Sequence, residues 1–107
     1  MINIYLDDIR HPPSNRDWHI VRSYDQAIAW VEKHGMPDYI SFDHDLGEEK
    51  TGYDFAKWLI DQDEQGIAKF GPGFDYAVHS ANPVGAKNIR ELFHGYYEYL
   101  KRQKASQ

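Results

Sequence analysis

The chain contains no cysteine, which excludes a disulfide scaffold, a thiolate nucleophile and a cysteine metal site. Hydrophobic runs are short, and nothing approaches the roughly 20 apolar residues that a membrane-spanning helix needs. Positive charge is the minority sign: 12 Lys and Arg stand against 17 Asp and Glu, for a formal net charge of −5. A long DNA duplex is therefore a poor partner by bulk electrostatics, whereas a small phosphate ester met by a metal ion or by local cations is not excluded. The first residues alternate as a strand instead of forming a signal peptide, so the expectation is a cytoplasmic chain with no membrane partner.

Aromatic residues are abundant, at 15% with 8 Tyr, 5 Phe and 3 Trp. In 107 residues such rings fill one small core between thin layers, so a single domain over residues 1–107 is expected. No internal repeat or low-complexity stretch is present.

Ile2, Ile4 and Leu6 alternate with Asn3 and Tyr5 until Asp7-Asp8 stops the pattern, which reads as a buried strand. The next stretch, through Pro12-Pro13, has no helical period and is expected to be a loop. Trp18 to Arg22 forms the second strand, parallel or folded back as antiparallel. Ser23 and Gln26 make a capping-box pattern, and Tyr24, Ala27, Ile28 and Val31 follow at helical spacing until Gly35 and Pro37.

Tyr39-Ile40-Ser41-Phe42 is a third strand running into Asp43-His44-Asp45. A helix then opens at Thr51 or Gly52 and carries Phe55, Ala56, Leu59 and Ile60 inward before fading into Gly66. Gly71-Pro72-Gly73 marks a loop before the fourth strand, Phe74 to Val78. Asn82 as N-cap and Pro83 at the first helical position open the last helix. Ile89, Phe93, Tyr96 or Tyr97, and Leu100 form its apolar stripe, Lys101, Arg102 and Lys104 suit its C-terminal end, and the final residues are expected to fray. The order β-β-α-β-α-β-α predicts an α/β fold: an open, mainly parallel sheet of about four strands with helices on both faces and strand order 2-1-3-4.

Three of these strands end in polar residues, and in such sheets ligands bind at the strand ends. Asp7, Asp8 and Asp43 are oxygen donors of the kind that hold Mg²⁺ or Mn²⁺; the alternative for Asp7-Asp8 is a turn with one side chain capping a loop amide. His44 is either a base positioned by a carboxylate or a solvated side chain, and His79 and Ser80 point to opposite faces. Ser80, Asn82 and the helix start behind them offer a seat for phosphate oxygens, against simple N-capping, while Arg10 neutralises either a phosphate or an aspartate. The Tyr and Trp residues read as core in preference to a base-stacking platform.

With these residues in place, the chain resembles a response-regulator receiver domain, of the flavodoxin-like class. Asp7-Asp8 resembles the acidic pair after the first strand, Asp43 the phosphoacceptor position, and Ser80-Ala81 the hydroxyl-Ala pair of the next strand. The first helix gives way to the Pro-Pro loop, and Lys87 lies within a helix instead of ending a fifth strand. The sequence is more similar still to the cyclic-phosphate processing receiver domains. Leu6-Asp7-Asp8-Ile9-Arg10, Ser41-Phe42-Asp43-His44-Asp45-Leu46-Gly47, Thr51-Gly52-Tyr53-Asp54 and Val78-His79-Ser80-Ala81-Asn82-Pro83 carry that similarity.

The resemblance implies a metal-assisted phosphoesterase acting on a cyclic or terminal phosphate of a nucleotide or RNA end. In that reading Asp7, Asp8 and Asp43 hold the cation, and His44 or His79 moves the proton. Arg10, Asp45, Thr51, Ser80 and Asn82 contact the substrate, with water or Asp43 as nucleophile. Two other readings stand beside it: a phosphoacceptor or phospho-ligand-binding signalling module without turnover, and an acidic protein-binding face that mimics nucleic acid.

Overall fold

The computed structural model describes residues 1–105. Strands β1 (Asn3–Leu6), β2 (Trp18–Val21), β3 (Tyr39–Phe42) and β4 (Asp75–Val78) form one sheet, with α1 (Tyr24–His34), α2 (Gly52–Glu64) and α3 (Pro83–Ala105) interspersed in the expected sequence. The sheet order is β2-β1-β3-β4. All three pairings are parallel, which settles the orientation of β2.

Ile4 pairs with Ile40, Leu6 with Phe42, and Phe42 with Val78. By strand alternation these side chains share one face, and Phe55, Ala56 and Leu59 of α2, Ala27 and Val31 of α1, and Ile89 and Phe93 of α3 join them in a single core. Phe93 sits at the centre of its aromatic part, stacked on Tyr76 at 4.3 Å and tilted against Phe42 at 5.7 Å.

This arrangement corrects one expectation: the helices do not cover both faces. The connections β2-α1-β3 and β3-α2-β4 advance across the sheet in the same direction, and right-handed crossovers then place both helices on the same side. The one connection running the other way, from β1 to β2, is the Pro-Pro loop, which has no helix to lay on the opposite face. There Tyr5, Trp18 and Tyr39 pack ring against ring, the Trp18 indole N–H donates to the Pro13 carbonyl (2.9 Å), and the Arg16 guanidinium lies 3.8 Å from the Tyr39 ring centre.

The helix boundaries follow their caps. Ser23 Oγ accepts from the Gln26 amide at 3.1 Å, and Thr51 Oγ1 and the Asp54 carboxylate close a reciprocal box at α2. Asn82 Oδ1 accepts from the Gly85 amide at 3.0 Å, capping α3 as its sequence foretold. α3 is helical to Ala105; the fraying expected at the last residues falls on 106–107, outside the described residues. Among the described residues no helix is long and apolar enough to cross a membrane.

Candidate metal and phosphate site

The carboxyl ends of β1, β3 and β4 lie side by side, so the polar residues that terminate them converge. Asp7, Asp8 and Asp43 each offer an oxygen, and these oxygens all lie within 4.8 Å of one another. Asp8, Ile9, Arg10, Asp43, Asp45, Gly47 and Ala81 line a cavity of about 320 Å³ over them.

Each acid is held differently. Asp7 is fully buried; its Oδ1 accepts from the Ile9 and Arg10 amides at 3.0 and 2.9 Å. Its Oδ2 accepts from His79 Nε2 at 3.0 Å and Arg10 Nη1 at 3.3 Å. Burial pushes the Asp7 carboxyl upward, but the two amides and the His79 bond outweigh it and hold its pKa below the ordinary value. Asp43, also buried, shifts the other way: burial, reinforced by the charge of Asp7, outweighs the Ser80 hydrogen bond and the nearby Arg10. Asp45 is exposed, and the bond from His44 keeps its carboxyl below the usual range.

The turns around the acids need glycine. Gly47 has φ +69°, and a Cβ there would stand 2.9 Å from Asp8 Oδ2. At Gly52 the start of α2 meets the Asp43 carbonyl so closely that a Cβ would lie 1.8 Å from its oxygen. The Gly52 amide donates to the His44 carbonyl at 2.8 Å, so helix and strand end are fixed to one another.

Of the residues expected to contact substrate or carry out chemistry, Arg10, Asp43 and Asp45 line the cavity. Ser80 bonds to Asp43 and accepts from the Asn82 amide at 3.1 Å; Asn82 Nδ2 donates to Asp45 Oδ2 at 3.3 Å. His44 Nδ1 is 2.9 Å from Asp45 Oδ1, and its ring fills the space beside Gly85, where a Cβ would fall 2.3 Å away. His79 has both ring nitrogens engaged, with Nε2 on Asp7 and Nδ1 2.6 Å from Ser41 Oγ. Because ionised Asp7 only accepts, Nε2 carries a proton and donates it to Oδ2. Thr51 caps α2 and does not line the cavity.

Sequence reasoning passed over three supporting residues. Ser41 sits within an apolar strand, and its buried hydroxyl finds its partner in His79. Tyr5 stacks on the His79 ring at 4.4 Å and 5°. Arg22 Nη1 donates to the carbonyls of Asp7 (3.0 Å) and Arg10 (2.6 Å), pinning the acidic loop. Its position directly after β2, opposite the end of β1, was the available signal.

A hard divalent cation fits this donor set. Burial is the main reason the Asp43 pKa is raised, and the charge of Asp7 adds to it; carboxylate oxygens at 4.8 Å show a mutual repulsion of about 3–4 kcal/mol per pair at an effective dielectric constant of about 20. A bound cation relieves it.

Comparison with known proteins follows the same line. No curated protein sequence matches the chain. A solved chain described as the yeast Spc42 trimeric coiled coil, amino acids 181–211, in fusion with another structure, is similar in fold, with a TM-score of 0.54 at 15% identity over 97% of this chain and 80% of that one. At that identity the likeness concerns the fold alone. The sequence matches the family model of the cyclic-phosphate processing receiver domain over residues 2–95. That stretch takes in every strand, the acidic trio and the Asn82 cap, and the chain therefore belongs to the cyclic-phosphate processing receiver domain family.

Proposed function

We propose that the protein is a divalent-metal-dependent phosphoesterase that acts, in the cytoplasm, on the cyclic or terminal phosphate of a nucleotide or an RNA end. The observation that carries this reading is the convergence of three carboxylates within 4.8 Å beneath a cavity that Arg10 also lines. Asp7, Asp8 and Asp43 would hold Mg²⁺ or Mn²⁺. When bound, such an ion polarises a phosphoryl oxygen and neutralises charge developing there.

The chain's own residues supply the rest. The Arg10 guanidinium and the N-terminal end of α3 take the remaining phosphate oxygens, with Ser80 and Asn82 beside them. Asp45, kept ionised by His44, accepts from a donor on the substrate, either a sugar hydroxyl or a base N–H. We assign proton transfer to His44, acting through Asp45 at the cavity wall. His79, clamped between Ser41 and Asp7, orients the acid. Attack comes from water or from Asp43 itself.

A signalling reading also has an observation in its favour, since Asp43 at the end of β3 is bonded to the Ser80 hydroxyl after β4, as in a phosphoaccepting receiver. The experiment that separates the two is incubation with 2′,3′- and 3′,5′-cyclic nucleotides and Mg²⁺ or Mn²⁺, analysed by chromatography, with Asp43→Asn alongside. Metal-dependent ring opening lost in the variant supports the enzyme. No product from any substrate refutes it.

A further inference from the structure

We propose that Arg10 is a tethered counter-ion that competes with the divalent cation for the acidic cluster and transfers to the substrate phosphate when the cation binds. This regulation of the site rests on the metal reading above.

An ionised carboxylate has about four acceptor positions, and those of Asp7 are all used: Oδ1 by the Ile9 and Arg10 amides, Oδ2 by His79 Nε2 and Arg10 Nη1. A direct bond from Asp7 to a cation must therefore displace one of these donors. Two are main-chain amides of the loop after β1, and that loop is pinned by Arg22 through the Asp7 and Arg10 carbonyls. The third belongs to His79, itself fixed by Ser41 and by the Tyr5 stack.

The fourth donor is different. The Arg10 side chain is 42% exposed, ends in a flexible stem and lines the cavity. Its Nη1 stands 3.3 Å from Asp7 Oδ2, 4.0 Å from Asp43 Oδ1 and 3.4 Å from the His79 carbonyl, a place among the acids that a metal ion would share. Because Arg22 holds the main chain, the guanidinium leaves without moving Asp7. Arg10 thus has two stations, the acidic cluster and the cavity, and the first is given up as the second is needed. The consequence is a site that lets go of its cation more readily when no phosphate is present to hold the arginine away.

Calorimetric titration of Mn²⁺ into the full chain tests this, comparing wild type with Arg10→Gln and Arg10→Met, followed by inorganic phosphate at saturating Mn²⁺. Removing the competing charge should tighten Mn²⁺ binding by roughly tenfold, while phosphate binding weakens by a similar factor. A purely structural arginine would not move the two affinities in opposite directions. Arg10→Lys, which keeps the charge, should bind Mn²⁺ within about threefold of wild type, and circular dichroism checks that each variant is folded. Unchanged or weaker Mn²⁺ binding in the folded Gln and Met variants, with wild type binding normally, overturns the counter-ion role alone. Absence of Mn²⁺ binding in every protein overturns it together with the metal site.

Discussion

Replacing Gly52 by Ala puts a methyl group where the end of β3 and the start of α2 touch. Its Cβ would lie 1.8 Å from the Asp43 carbonyl oxygen, 2.9 Å from the carbonyl carbon and 3.3 Å from His44 Cα. All three atoms are backbone, so no rotamer change relieves the clash. Reaching even 3.0 Å from the oxygen requires a movement of 1.2 Å, the difference between 3.0 and 1.8 Å. α2 resists, because Phe55, Ala56 and Leu59 are fully buried in the core just behind this contact.

Overpacking of this kind costs about 1–3 kcal/mol, and a backbone clash belongs at about 3 kcal/mol. At roughly 4–8 °C per kcal/mol for a small domain, Tm should fall by roughly 12–24 °C. Gly95→Ala is the matched control, since nothing lies within 4 Å of a Cβ there and the residue is inside α3. It should gain roughly 0.5–1 kcal/mol from helix propensity. Thermal melts followed by circular dichroism decide the matter: Gly52→Ala melting within a few degrees of wild type would refute the close-contact argument.

His79→Ala frees Ser41 and takes away the fixed bond that orients the Asp7 carboxylate, a bond that loss of the mobile Arg10 side chain leaves in place, so Mg²⁺ affinity measured by calorimetry should fall roughly 10- to 100-fold, with a smaller loss in Ser41→Ala. An unchanged affinity would leave His79 with no positioning role. Tyr96 donates its hydroxyl proton to buried Asp63, which also accepts from the Phe70 amide at 2.8 Å, and Tyr96→Phe should cost about 1.5–3 kcal/mol in urea unfolding. Burial, then the bond to Asp63, raises the Tyr96 pKa above its ordinary value of 10.0. Its contribution is therefore full below that pH and is lost as pH rises through the higher folded value. Above about pH 10 wild type should lose stability faster with pH than Tyr96→Phe, and parallel curves would contradict the assignment.

Local chemistry made much of this readable in advance. Alternation in Ile2-Asn3-Ile4-Tyr5-Leu6 and the abrupt acidic stops placed β1 and β3 centrally, and Ser23, Thr51 and Asn82 marked helix starts because each offers an oxygen to an amide of the first turn. The acidic trio was legible for the same reason, since parallel strands bring their carboxyl ends to one edge. The strand order 2-1-3-4 was legible too and is the one observed. With right-handed crossovers that order already puts α1 and α2 on one face, so the expectation of helices on both faces failed for a consequence left undrawn and for the missing helix between β1 and β2. Ser41, Tyr5 and His79 meet only because adjacent parallel strands bring residues far apart in sequence together on the uncovered face. Saturation of Asp7 by four donors, from which the proposed role of Arg10 is argued, cannot be read from the sequence.

The most direct test of the central claim is a ³¹P NMR time course of the protein with Mg²⁺ and a 2′,3′-cyclic nucleotide. The cyclic-phosphate resonance should give way to a phosphomonoester signal, the conversion should stop on chelation of the metal, and Asp43→Asn should not carry it out. A cyclic resonance that persists, with a stable acyl-phosphate signal forming on Asp43 from a small phosphodonor instead, would contradict the phosphoesterase and identify a phosphoaccepting module.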